Sequence, residues 1–374
     1  MNNTIHTSQA IVDLSAYEYN LSVVRNLTGP GCDLAAVVKA NGYGLGALPI
    51  AQRALASGAR MLCVATAEEG VALREGGIEA PILVLMQSDR DSLASIIRHH
   101  LTLMLSDVKT AEVLGEMARK ANQVLPVHCM VDSGFGRQGF SAETAAEDIQ
   151  YLTRISHIDV EGIATHFPVA NIVDDAFTYG QIRAFKHLLK QLEKEGIPYE
   201  VAHAANSAAV VNYPGSLFNM VRAGIMSYGV WPTDAPPATE MLRPVVRWET
   251  RVAQVRELEP GSTVGYGRTY TTPGRMKAAM LPIGYADGYP FSLSNKAEVL
   301  IRGKRCPIRG RVCMDQVVVD VTDVLRVEAG DIAVLLGSDG EETITVAELA
   351  CQACTIPYEI LTGIGPRVPR VYEG

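Results

Sequence analysis

The stretch Asp33-Leu-Ala-Ala36-Val-Val-Lys39-Ala-Asn-Gly-Tyr43-Gly-Leu-Gly46 decides how the chain is read. Ala36 to Val38 are apolar and read as the end of a buried strand. Lys39 follows, a charge whose burial is unfavourable unless it is removed or paired. Gly42, Gly44 and Gly46 then alternate, which lets the backbone turn sharply and lie close to a bound group. A lysine at the carboxyl end of a core strand is well placed to form a Schiff base, because desolvation lowers its pKa and the neutral amine is the nucleophile. The competing reading is a strand-end lysine that snorkels to water. This stretch alone leaves both open.

Similar apolar runs recur on either side. They are DLAAVVKA (33–40), MLCVAT (61–66), PILVLMQ (81–87), LTLMLSD (101–107), VLPVHCMVD (124–132), VEGIATHF (160–167), YEVAHAAN (199–206) and MVRAGIMSYG (220–229). Between them lie stretches such as LPIAQRALASGA, AEEGVALREGG and QIRAFKHLLKQLEKEG, apolar at helical spacing and closed by glycine. Continuous apolar runs joined by helical crossovers predict a parallel sheet buried on both faces. Eight such units favour an α/β fold of the (β/α)8 TIM-barrel type over an open doubly wound sheet. The barrel domain is expected over residues 1–235.

In such a barrel the chemistry gathers at the carboxyl ends of the strands. Those ends carry Lys39, Tyr43, Leu85, Arg137, His166, Asn206, Ser207, Arg222, Gly224 and Ile225. His166 alone reads equally as a satisfied core histidine. Arg222 is harder to dismiss: it lies inside an apolar run, its guanidinium stays charged, and a buried one needs acceptors. Together the set can line one pocket with a lysine nucleophile, anion donors and polar orienting groups.

Trp231-Pro-Thr-Asp-Ala-Pro-Pro reads as a linker. After it come short alternating runs, among them VVRWETRVAQVREL, RMKAAMLPIGY, AEVLIRG, QVVVDV and DIAVLLG, with turns at Glu259-Pro-Gly and Ser338-Asp-Gly. These predict a C-terminal mainly-β domain over 236–374. Its loops hold Gly265-Tyr266-Gly267, Gly284-Tyr285 and Cys313-Met314-Asp315. A helical stretch, TVAELACQACTIPYEILTGIG, closes it and contains Tyr358.

Composition narrows the function classes. The 374 residues carry a net charge of -8 with no basic run, so neither nucleic acid nor an anionic membrane is an expected partner. No apolar stretch is long enough to span a bilayer, and the polar start MNNTIHTSQA lacks a signal-peptide core, so a cytoplasmic location is expected. The seven cysteines sit in apolar surroundings and are expected to be reduced, buried thiols. Cys351-x-x-Cys354 has no second ligand pair, and no metal is expected.

Nine motifs, taken together, resemble the alanine racemase family. They are AVVKANGYGLG (36–46), DSGFGRQGF (132–140), THF (165–167), AANS (204–207), VRAGIMSYG (221–229), VGYGRTY (264–270), GYADGYP (284–290), GRVCMDQ (310–316) and PYEILTGIGPRVPRVY (357–372). They follow the family's order along nearly the whole chain. The resemblance implies a pyridoxal 5'-phosphate enzyme with an N-terminal barrel and a C-terminal β domain. It also implies that the first strand, near 10–14, packs with the C-terminal domain.

By that resemblance Lys39 holds the cofactor as a Schiff base, and Tyr43, Ser207, Gly224, Ile225 and Tyr358 receive its phosphate. Leu85 and Asn206 also line the cofactor site. Arg222 donates to the pyridine nitrogen, and its permanent charge leaves that nitrogen unprotonated. His166 bridges Arg222 and a tyrosine. Arg137 contacts the phenolic oxygen and, with the Met314 backbone N–H, the substrate carboxylate; Tyr285 crowds the side-chain pocket. Racemisation needs acid/base groups on both faces of a planar carbon. The resemblance assigns one face to Lys39 and the other to Tyr266 of the second subunit in a homodimer. Many members carry a lysine whose carbamate orients the arginine corresponding to Arg137. Met130 stands there, so a bound anion or another polar side chain is expected to hold Arg137. A racemase of serine or of broad specificity is the alternative. Arg222 argues against a barrel decarboxylase, and residues 238–374 against a lone cofactor-binding barrel.

Overall fold

The computed structural model describes residues 7–233 and 236–374. The expected boundary beside Ala235 lies outside the described residues. The chain forms two compact units: residues 17–42 with 47–242, and residues up to 16 with 43–46 and 243–374.

The first unit is a closed parallel barrel. Its strands are Asp33–Val37, Met61–Val64, Ile82–Val84, Thr102–Leu105, Leu125–Asp132, Ile158–Ala164, Val201–His203 and Met220–Ala223. Each pairs in parallel with the next, and the last pairs with the first, Arg222 opposite Ala35. All eight apolar runs thus supply a strand. Both faces of each strand are covered, so the pattern is continuous and not alternating. Crossover helices begin where a polar cap takes up an orphan N–H. Thr66 accepts from Glu69, Asp89 from Ser92, Asp107 from Thr110 and Asp175 from Thr178.

The second unit is mainly β. In its largest sheet Ser8–Asp13 lies between Val246–Arg251, to which it runs antiparallel, and Arg370–Glu373, to which it runs parallel. A three-stranded sheet joins Gln254–Leu258, Met276–Leu281 and Val317–Asp320. The helices Val346–Ala353 and Pro357–Gly363 pack on each other.

Two expectations need correction. The run 220–229 is not one strand: it ends at Ala223, and Ile225–Tyr228 forms a tight helical turn. The thiols are not all buried either. Cys63, Cys129 and Cys306 are, Cys32 and Cys313 are half-buried, and Cys351 and Cys354 are exposed. Cys354 caps its helix in the left-handed region, and Cys351 lies on that helix's exposed face, opposite the buried Leu349, Ala350 and Ala353.

Candidate active site

Lys39 stands two residues beyond the strand Asp33–Val37, at the barrel's carboxyl end. The next four residues form a left-handed turn, with φ of 52° at Ala40, 54° at Asn41, 61° at Gly42 and 52° at Tyr43. Glycine adopts this region freely, but each other residue there costs about 1–2 kcal/mol. The surroundings must therefore impose the turn. Glu69 does part of this: one carboxylate oxygen accepts from the Ala40 N–H at 2.6 Å and the other from the Ala65 N–H at 2.7 Å. Asn41 Oδ1 also accepts from the Ala47 N–H at 3.0 Å. Burial lowers the Lys39 pKa, and the positive charge of Arg137 adds to the effect. Both favour the neutral amine.

Arg222 is the hub of the barrel end. It is 5 % exposed, and its two terminal nitrogens make five contacts. Nη1 donates to His203 Nδ1 at 2.8 Å and to the His203 carbonyl at 3.0 Å. Nη2 donates to the carbonyls of Thr165 at 2.9 Å and Ala204 at 3.1 Å, and to His166 Nδ1 at 2.9 Å. The two histidines must accept, since a guanidinium has no lone pair to offer. Both are thus neutral with the proton on Nε2. Burial first, and then Arg222, push both far below the usual imidazole range. The guanidinium itself is pulled down to about 10 by burial, and so stays charged at neutral pH.

Arg137 is exposed on the loop 133–139. Asp132 shapes this loop by accepting from the N–H groups of Gly134, Phe135 and Gly136. The Arg137 guanidinium lies 4.2 Å from the centre of the Phe135 ring. Among the described residues no polar side chain holds it, and Met130 is buried. Of the two expected holders, a bound anion or a polar side chain, the second is absent among the described residues, and the guanidinium makes a cation–π contact. Leu85 offers its carbonyl to the Gln138 side chain at 2.7 Å.

Asn206 caps the helix Ser207–Asn212, its Oδ1 3.0 Å from the Ala209 nitrogen. Ser207 Oγ accepts from the N–H of Gly224 at 3.0 Å and of Met226 at 3.4 Å. Ser207, Gly224 and Ile225 are thus brought together where two short helical turns begin.

The other unit holds the remaining expected residues. Tyr43 and Tyr358 face each other with ring centres 6.0 Å apart, and burial raises the Tyr358 pKa. Tyr285 and Met314 are also adjacent: the Tyr285 N–H donates to the Cys313 carbonyl and the Ala286 N–H to that of Met314. A Cβ on Gly284 would collide with both carbonyls, so only glycine permits this approach. Tyr266 sits on a tight turn between Gly265 and Gly267 and is 73 % exposed.

Four polar residues around the site have little signal in the sequence: Glu69 and His203, which contact the Lys39 turn and Arg222, and His128 and Glu161, which lie behind His203. The two histidines sit inside apolar runs, where a core histidine looks no different. A second histidine, on a strand two places away in the sheet, was the only available signal.

A buried, charged guanidinium and a lysine of lowered pKa thus meet at the barrel's carboxyl end. A family model described as "Alanine racemase, N-terminal domain" matches residues 12–232, and one described as "Alanine racemase, C-terminal domain" matches 245–372. The alanine racemase of Symbiobacterium thermophilum is 43 % identical, over 98 % of this chain and 97 % of its own. That of Halothermothrix orenii is 41 % identical, over 97 % and 96 %. The solved alanine racemase of Clostridium difficile superposes with a TM-score of 0.95 at 33 % identity, covering 99 % of this chain and 97 % of that one. A Bartonella henselae alanine racemase with covalently bound pyridoxal phosphate superposes at 0.89 and 30 % identity, over 99 % and 100 %. The chain belongs to the alanine racemase family and is a racemase, an isomerase. Among the described residues no helix is long and apolar enough to cross a membrane.

Proposed function

We propose that the protein interconverts L- and D-alanine with pyridoxal 5'-phosphate bound at Lys39, supplying D-alanine for peptidoglycan. The observation that carries this reading is the donor set of Arg222. Its terminal N–H groups are taken by His166, His203 and three carbonyls, and Nε–H is the donor with no partner among the described residues. One fixed donor, close enough to Lys39 that its charge lowers the lysine pKa, suits a pyridine nitrogen.

When bound, the cofactor supplies an electron-accepting ring that makes the substrate Cα–H acidic. Lys39 carries the proton on one face of that carbon. Tyr266, from the other subunit of a homodimer, carries it on the opposite face; its exposure on a tight turn between two glycines supports this role. His166, fixed by Arg222 with its proton on Nε2, orients the tyrosine hydroxyl. Arg137 fixes the substrate carboxylate together with the Met314 N–H, and Tyr285 limits side-chain size. Ser207, Gly224 and Ile225 hold the phosphate, and family membership supports adding Tyr43 and Tyr358. Leu85 and Asn206 complete the cofactor's surroundings.

The test is a panel of L-amino acids, serine included, with chiral analysis of the products. D-Alanine should form fastest. Faster racemisation of serine would replace the substrate assignment, and the absence of any D-product would refute the activity.

A further inference from the structure

We propose that His128 and Glu161 are positioning residues for Arg222, closing a one-way chain of N–H donors that runs from Arg222 through His203 and His128 to Glu161. This deepens the racemase reading above and rests on it for its catalytic consequence.

The direction of the chain follows from the atoms. Arg222 Nη1 lies 2.8 Å from His203 Nδ1, and His203 Nε2 lies 2.8 Å from His128 Nδ1. His128 Nε2 is buried without a hydrogen-bond partner among the described residues, and the nearest acceptor it faces is Glu161 Oε2 at 3.5 Å, a gap that a small side-chain movement closes. The guanidinium can only donate, so His203 Nδ1 accepts and its proton sits on Nε2. That proton leaves His128 Nδ1 only the role of acceptor. The His128 proton is therefore on Nε2, aimed at a carboxylate. Every link then has one donor and one acceptor, and reversing any of them sets two protons or two lone pairs face to face.

The fold makes room for this chain. Both histidines are 0 % exposed, and their rings meet edge-on with centres 4.9 Å apart. They sit on Leu125–Asp132 and Val201–His203, separated by the strand Ile158–Ala164. The middle strand offers Gly162 at the crossing point. A Cβ there would lie 2.5–2.7 Å from three atoms of the His128 ring. The pairing of Leu125–Asp132 with Ile158–Ala164 also shifts register between Val127 and His128. Glu161 is thus the extra residue at this irregularity, and its side chain is 20 % exposed. A glycine and an irregular register at the one place where a histidine must lean across a strand are the marks of a built contact.

The consequence reaches Arg222. Without an acceptor at its Nε2, His203 would hold a buried N–H unpaired in the tautomer that Arg222 requires, which favours moving the proton to Nδ1, against Nη1–H, or turning the ring away. Either change would cost Arg222 one of its five contacts and loosen the orientation of the guanidinium, and with it the direction of Nε–H. Glu161 and His128 touch neither substrate nor cofactor and act through His203.

The test reads the protons directly. Long-range 1H–15N spectra of the full chain, labelled at histidine, should show His203 and His128 each neutral and protonated on Nε2. His128→Asn places an amide oxygen where Nδ1 stood and should keep His203 in the same tautomer. His128→Phe should release it, and in the cofactor-loaded enzyme should lower kcat roughly 10- to 100-fold with KM little changed. His128→Asn should restore most of that loss. Finding His203 protonated on Nδ1, or doubly protonated, in the unaltered protein would overturn the proposal. So would a His128→Phe variant with an unchanged His203. If that variant does not fold, the unaltered protein and His128→Asn still decide. Wrong tautomers would refute the relay and leave the racemase reading standing. An unaltered enzyme that makes no D-product would refute the racemase reading and leave the tautomers to be judged alone.

Discussion

Replacing Arg222 with lysine keeps the charge but removes the fork. The structure sets five acceptors around Nη1 and Nη2: Nδ1 of His203 and of His166, and the carbonyls of His203, Thr165 and Ala204. An ammonium has three N–H groups on a single atom and cannot serve both ends of the fork. At least two acceptors lose a charged donor, each worth about 1.5–3 kcal/mol. His203 recovers part of this by moving its own proton to Nδ1, so the net loss is about 3 kcal/mol. Urea unfolding should show it as a lower midpoint at unchanged slope. Nε–H disappears as well, so racemisation should fall by about 100-fold or more, as when a preorganised donor is removed. A change in unfolding free energy below about 0.5 kcal/mol, the range of an ordinary surface substitution, would refute the hub reasoning. Near-normal turnover would refute it equally.

His166 and His203 are held neutral by burial and then Arg222, so the unfolded chain binds more protons than the folded one below the ordinary imidazole pKa. Stability from these groups is present above about pH 6.5 and is lost as pH falls, at up to about 1.4 kcal/mol per pH unit for each; urea midpoints between pH 7.5 and 5 measure it. Arg137→Met removes a positive charge that lowers Lys39, so the pH midpoint for cofactor attachment, followed by absorbance, should move up; no movement or a downward one contradicts the electrostatic reading. Glu69→Ala strips the acceptor from the Ala40 and Ala65 N–H groups and should destabilise the barrel by about 1–3 kcal/mol in chemical unfolding. Mixing inactive Lys39→Ala with inactive Tyr266→Phe protein should restore activity once subunits exchange, because one site of each heterodimer then carries neither lesion; verified exchange without recovery would exclude a shared site.

The barrel was legible because each strand is buried on both faces, which leaves an apolar run such as Met61–Val64 that few other structures need. Closure was not. The same runs suit an open sheet, and only the pairing of Asp33–Val37 with Met220–Ala223 joins the ends. Lys39 was legible from its place beside Gly42, Gly44 and Gly46. The left-handed residues Ala40, Asn41 and Tyr43 were not, because their backbone is imposed by Glu69 and Asn41 contacts and not by local preference. Arg222 announced itself as a charge in an apolar run. His128 and His203 did not, since a histidine's partners are set by tertiary packing across a strand. Met130 cannot carry a carbamate, which is plain from its side chain, but the contact of Arg137 with Phe135 depends on a loop shape that Asp132 creates.

The central claim is that Lys39 carries pyridoxal 5'-phosphate. Borohydride reduction of the loaded enzyme, followed by peptide mapping, tests it most directly. The account predicts a single pyridoxyl-lysine at position 39, and none in Lys39→Ala. A label on any other lysine, or a loaded and active Lys39→Ala protein, would contradict it.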